Sequence, residues 1–92
     1  YEASRLLTMW LADLKDRGVE RAQQEAAIVK RFVTNAAQES AEDGVQLHGA
    51  NGVSETAHSV AKFYRDAKVN QIYDGTNDIQ TVIIGAHALG YR

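Results

Sequence analysis

Apolar positions recur at helical spacing in four separated stretches of this chain, and no stretch shows the two-residue alternation of a half-buried strand. In residues 2–17, Ala3, Leu6, Leu7, Trp10 and Leu14 fall on one face of a 3.6-residue period. Lys15 and Arg17 suit the negative end of such a helix, and Gly18 can take the left-handed conformation that ends it. The longest stretch covers residues 21–45. Its stripe is Ala22, Ala26, Val29, Val33, Ala36 and Ala37, widened by Ile28 and Phe32, with Glu25, Lys30, Gln38 and Glu42 on the remaining face. Gly44 reads as a terminator, although VQLH can carry the helix one more turn. HGANGVSE, residues 48–55, is a loop by composition. A third helix is expected over residues 56–67, with Ala57, Val60, Ala61 and Tyr64 inward, and KVNQIY adds a short, differently directed turn. The last helix begins near Asn77 as N-cap, and Gln80 three residues on completes a capping-box pattern. Ile79, Val82, Ile83 and Ala86 form its stripe, and Gly90 closes it. The pattern predicts an all-α fold, a four-helix up-and-down bundle, in a single domain over residues 1–92.

Composition removes several functional classes. A net charge of −2, with cations scattered among acids, gives no basic surface for nucleic acid. The absence of cysteine rules out a disulfide frame, a thiolate nucleophile and a cysteine metal site, and fits a cytoplasmic or mitochondrial-matrix setting. No apolar run has the length of a membrane span, and the N-terminus lacks signal-peptide features. His48, His58 and His87 have no partner at i+3 or i+4 and no carboxylate set, so no metal site is expected.

Two segments carry candidate chemistry. QLHGANG, residues 46–52, is a glycine-bearing helix end whose spacing matches neither phosphate-loop nor dinucleotide patterns; spacing alone favours a structural role. QIYDGTNDIQ, residues 71–80, places an Asp-Gly pair between two helices. Asp74 precedes a helix start, where free N–H groups and the positive dipole end gather, and Thr76, Asn77 and Asp78 offer caps or ligand contacts. Asp74 is either a solvated turn residue or a base held in a pocket.

YRDAKVNQIYDGTNDIQ, from Tyr64 to Gln80, closely resembles the YRDAK-x-x-QIYEGTNEIQ segment of acyl-CoA dehydrogenases. QLHGANGVSE resembles their Q-x-x-GG-x-G-[YF]-x-x-E stretch, and EAAIVKRFVTNAAQESAEDGVQ resembles the long alanine-rich helix that leads into it. The likeness covers essentially the whole chain, in order. It implies the C-terminal helical domain of a longer flavoprotein, consistent with a start at Tyr1, and a fragment inactive by itself. It implies an FAD-dependent oxidoreductase of fatty acid metabolism that α,β-desaturates an acyl thioester, carried on coenzyme A or a carrier protein. An electron-transfer flavoprotein would accept the electrons.

By the same resemblance Asp74 is the catalytic base, Tyr73 lines the acyl pocket, and the Gly75 backbone contacts substrate. Thr76, Asn77 and Asp78 would touch the flavin. Gln46, Leu47, His48, Gly49 and Ala50 would hold the adenosine-diphosphate part of FAD from a neighbouring subunit, which implies a homo-oligomer, usually a tetramer. A carboxylate in water is too weak a base for a carbon acid at neutral pH, so burial against flavin and acyl chain would have to strengthen it. Three positions depart from the family pattern. Asp74 replaces Glu, drawing the carboxylate back by roughly 1.5 Å, one C–C bond. Ala50 replaces a glycine and can restrict backbone approach or φ, and Thr81 stands where Arg often follows Gln. The Asp leaves a nitroalkane-oxidase-like reaction as an alternative, since a proton beside a nitro group is more easily removed. A non-catalytic helical interaction module is the bland alternative.

Overall fold

A computed structural model of the chain describes residues 1–91. Four α-helices form: α1 (Glu2–Asp16), α2 (Gln23–His48), α3 (Val60–Asn70) and α4 (Asn77–Ala88), with a 3-10 turn at Gly49–Val53 between α2 and α3. No strand occurs among the described residues. The helix ends follow local chemistry. After α1 and after α4, Gly18 and Gly90 take φ of +79°, and paired backbone bonds close each end: Gly18 N to Lys15 O with Val19 N to Leu14 O, and Gly90 N to His87 O with Tyr91 N to Ala86 O. These are Schellman closures, which satisfy carbonyls that the helix cannot.

The α2 helix is the axis of the molecule. The other three helices each lie against it, and no close Cα approach joins any two of those three among the described residues. The chain rises along α1, descends through α2 and rises again, the last leg being split into α3 and α4. Successive landmarks trace that leg along α2. Val60 lies beside Gly44, Gln71 bonds Asn35, Asn77 bonds Thr34, and Thr81 bonds Arg31. Residues 71–76 are the break between its two halves.

Small side chains make the close packing possible. Ala22, Ala27, Val29, Ala61 and Ala67 are the buried apolar residues, and Gln38 and Gln80 are buried with them. The periodic stripes are broader than the surface that meets a neighbour. Leu6, Trp10, Phe32, Tyr64, Ile79 and Val82 stay exposed, as do Ala3, Ala37 and Ala57. On α1 nothing is buried, and the half-buried face runs through Leu7, Leu11 and Leu14. With three helices laid on one, each outer helix has a single contact line, so part of every apolar stripe is left uncovered.

Helix boundaries differ from the sequence reading at several points. The α2 helix takes the extra turn that VQLH allowed, so Gly44 does not end it, and residues 49–53 wind into the 3-10 turn rather than an open loop. The α3 helix starts at Val60, not near Thr56, because the Ser54 hydroxyl accepts from the N–H groups of Thr56 and Ala57 and holds a turn there. It then runs on to Asn70, absorbing the first half of KVNQIY, where a differently directed turn is expected. The N-cap of α4 is Thr76 instead of Asn77: its Oγ1 accepts from Ile79 N at 3.3 Å. Gln80 therefore completes no capping box with Asn77, and both side chains serve other contacts.

Candidate functional site

The Asp-Gly pair forms a tight reversal. Asp74 has φ of +52° and Gly75 φ of +89°, so both central residues of the turn 73–76 lie in the left-handed region. Among the described residues Asp74 is the sole non-glycine with positive φ. Aspartate tolerates that region better than most side chains. A Cβ at Gly75 would also stand 2.7 Å from Gln80 Nε2, the tip of a side chain that would have to give up its bond to the Gly75 carbonyl to make room. Asp74 and Tyr73 are exposed, and the Tyr73 hydroxyl donates to Asn70 Oδ1.

The turn is tied to α2 by a network that sequence reasoning did not find. Lys30 Nζ donates to the Gly75 carbonyl and to Asn77 Oδ1, each at 2.8 Å. Asn77 Nδ2 donates to Thr34 Oγ1 and Asn35 Oδ1, also at 2.8 Å, while Thr34 Oγ1 donates to the Lys30 carbonyl at 2.8 Å. Gln71 Nε2 donates to Asn35 Oδ1 at 2.8 Å, and the Gln71 carbonyl accepts from Asn77 N at 2.9 Å. Buried Gln80 donates from Nε2 to the Gly75 carbonyl at 3.1 Å. Lys30, Thr34, Asn35, Gln71 and Gln80 thus hold the backbone from which Asp74 projects. The available signal is Lys30, Thr34 and Asn35 in an alanine-rich stretch, polar groups at i, i+4 and i+5 of one helix.

Beside the turn, at the N-terminal end of α4, lies a cavity of about 330 Å³ whose lining includes Arg31, Lys68, Thr76, Asn77, Asp78 and Thr81. Two cations, the Thr76 hydroxyl and a positive helix end suit a hydrogen-bond-accepting or anionic group, while the Thr81 hydroxyl is taken up by the Asn77 carbonyl and Asp78 adds one carboxylate to the lining. Thr76 caps the helix with an oxygen lone pair, which leaves its O–H free to donate. The Asp78 side chain is exposed, whereas the side chain of Asn77 turns inward to α2. At Thr81, Arg31 Nε donates to Oγ1 at 2.8 Å, bringing a guanidinium beside the position that lacks Arg.

Gln46, Leu47, His48, Gly49 and Ala50 gather elsewhere, all exposed, at the end of α2 and the start of the 3-10 turn. Gln46 lies eleven residues beyond Asn35, roughly 17 Å along the helix at 1.5 Å per residue. The structure therefore makes two groups of the predicted residues, one at each end of α3. His48 Nδ1 bonds the Gly44 carbonyl at 2.8 Å. Ala50 does not have positive φ, so its methyl group imposes no backbone strain. Under this turn Gly52 is in close contact, where a Cβ would stand 2.4 Å from the Val45 carbonyl oxygen. No group of three or more His, Cys, Asp or Glu suited to a metal occurs among the described residues, and no helix there is long and apolar enough to cross a membrane.

The sequence and the helical arrangement match known proteins. The family described as acyl-CoA dehydrogenase, C-terminal domain, matches residues 1–89, and the chain belongs to that family. The acyl-CoA dehydrogenase of Bacillus subtilis (strain 168) is 44% identical over 89 residues, covering 97% of this chain and 23% of the relative. Butyryl-CoA dehydrogenase from Megasphaera elsdenii superposes with a TM-score of 0.86 at 39% identity, covering 96% of this chain and 22% of that one. A chain from the structure of an electron transferring flavoprotein of Acidaminococcus fermentans gives a TM-score of 0.86 at 33% identity, over 96% of this chain and 23% of the other. The chain thus spans less than a quarter of the length of these relatives.

Proposed function

We propose that this chain is the C-terminal domain of an FAD-dependent acyl-CoA dehydrogenase and that Asp74 is its catalytic base. The observation that carries the reading is the clamped turn: a carboxylate projects from a backbone held by α2 and α4, directly before a helix N-terminus with a polar cavity. In the reaction, Asp74 removes a proton from the carbon α to a thioester carbonyl as the α,β double bond forms. Bound FAD supplies the hydride acceptor for the β-carbon. The exposed Asp74 of this chain would be enclosed by flavin, acyl group and the rest of the polypeptide, and that desolvation would make it basic enough.

The residues present fit such a cofactor. The Thr76 hydroxyl can donate to a ring acceptor while capping α4, and exposed Asp78 can accept. Asn77 acts from behind by fixing the turn to α2. The Gly75 carbonyl turns inward to Lys30 and Gln80, so contact with the acyl thioester falls to exposed Tyr73 and to the solvent-facing side of Gly75. Gln46, Leu47, His48, Gly49 and Ala50, remote from Asp74, serve the adenosine-diphosphate part of FAD on a neighbouring subunit, in a homotetramer. An electron-transfer flavoprotein is the inferred acceptor, in keeping with one structural neighbour.

Replacing Asp74 by Asn in the full-length protein tests this directly. Thioester-dependent bleaching of the flavin should disappear while FAD remains bound. Persistent bleaching would assign the base elsewhere, and bleaching by a nitroalkane but no thioester would move the chain to the nitroalkane-oxidase reaction.

A further inference from the structure

We propose that Lys30 is a positioning residue for Asp74, acting through the peptide carbonyl that follows it. This rests on the reading of Asp74 as base. Asp74 at +52° and Gly75 at +89° form a turn that their own preferences favour, so what its surroundings decide is where the turn, and with it the Asp74 side chain, sits against the rest of the molecule. From α2, one side chain reaches the turn backbone itself: Lys30 bonds the Gly75 carbonyl at 2.8 Å. The same ammonium bonds Asn77 Oδ1 at 2.8 Å, linking the turn to the first residue of α4. One half-buried cation thereby sets the distance between α2, the turn and the helix start.

The geometry gives Lys30 a role separable from folding. The Gly75 carbonyl keeps its bond from Gln80, and Asn77 keeps Thr34 and Asn35, when the ammonium is removed. The turn then stays in place but gains freedom along the direction that Lys30 restrained. A carboxylate that must meet a carbon acid tolerates little such freedom, and a displacement on the order of 1 Å lowers a rate about a hundredfold.

The test uses Lys30→Met, which keeps the aliphatic stem, and Lys30→Arg, which keeps a cationic donor, in the full-length flavin-loaded protein. Lys30→Met should lower kcat for thioester oxidation about a hundredfold with KM changed less than about twofold. Amide hydrogen exchange of peptides spanning residues 71–80 should quicken about tenfold or more, with α1 unchanged. Lys30→Arg should recover most of both effects. Unaltered kcat in Lys30→Met, or a fall in kcat without faster exchange at 71–80, overturns the proposal. If Lys30→Met does not fold, equal losses in Lys30→Arg and Lys30→Gln, which differ in charge and reach, overturn it as well. Asp74→Asn measured beside them separates the two claims: turnover retained there sinks the base assignment, whereas turnover lost there with full activity in Lys30→Met sinks only this one.

Discussion

Asp74 and Gly75 show how a short turn can be specified twice, once by backbone preference and once by packing. Asp is among the few residues that enter the left-handed region at modest cost, and the shorter carboxylate therefore suits the backbone on which it sits. Asp74→Asn should leave the unfolding midpoint nearly unchanged, since Asn tolerates the same φ, so a loss of turnover can be read as chemistry. Gly75→Ala faces both the φ of +89° and a Cβ 2.7 Å from Gln80 Nε2. It should lower stability by about 1–3 kcal/mol, read from the urea midpoint at unchanged slope. A midpoint within experimental scatter of the parent would contradict the strain assigned to this φ.

Among the elements, α2 carries the design because every other helix reads its position from it. Two glycines at its C-terminal end make opposite predictions. Gly44 lies within the helix, and a Cβ there would be 3.8 Å from Val60 Cγ1, an ordinary contact. Gly44→Ala should stabilise by up to about 1 kcal/mol through helix propensity. Gly52 packs its backbone onto Val45, with a Cβ position 2.4 Å from the Val45 carbonyl oxygen and 2.9 Å from its Cα. Because backbone cannot move aside as a side chain can, Gly52→Ala should cost about 1–3 kcal/mol and displace the 49–53 turn. Thermal denaturation of the two variants should shift in opposite directions; a shared direction would refute this account of the α2 end. The α3 start shows why the boundary was hard to read: Thr56 and Ala57 fit helical periodicity, but the Ser54 hydroxyl captures their N–H groups first.

As a whole, the molecule is elongated. Its radius of gyration is 15.9 Å, against about 12 Å for a compact domain of this length, and its extents are 47 × 24 × 18 Å. Leu6, Met9 and Trp10 on α1 and Ile79 and Val82 on α4 remain exposed, and among the described residues no large side chain is fully buried. Residues 1–92 produced alone should therefore bind a hydrophobic dye such as ANS and self-associate as concentration rises. Dye binding should drop in the full-length protein. A monomeric, dye-silent 92-residue chain would show that these apolar faces need no further cover.

The sequence by itself determined four helices and the glycine ends of α1 and α4, because apolar period and helix-closing conformations are local properties of neighbouring residues. The resemblance in its motifs also led to the family. Which part of each stripe would be buried, and which residues would fix Asp74, was decided only in three dimensions. Lys30 and Gly75 are 45 positions apart, and their bond depends on α4 returning along α2. No periodicity records such a meeting, since it arises from the path of the folded backbone rather than from the preferences of either segment.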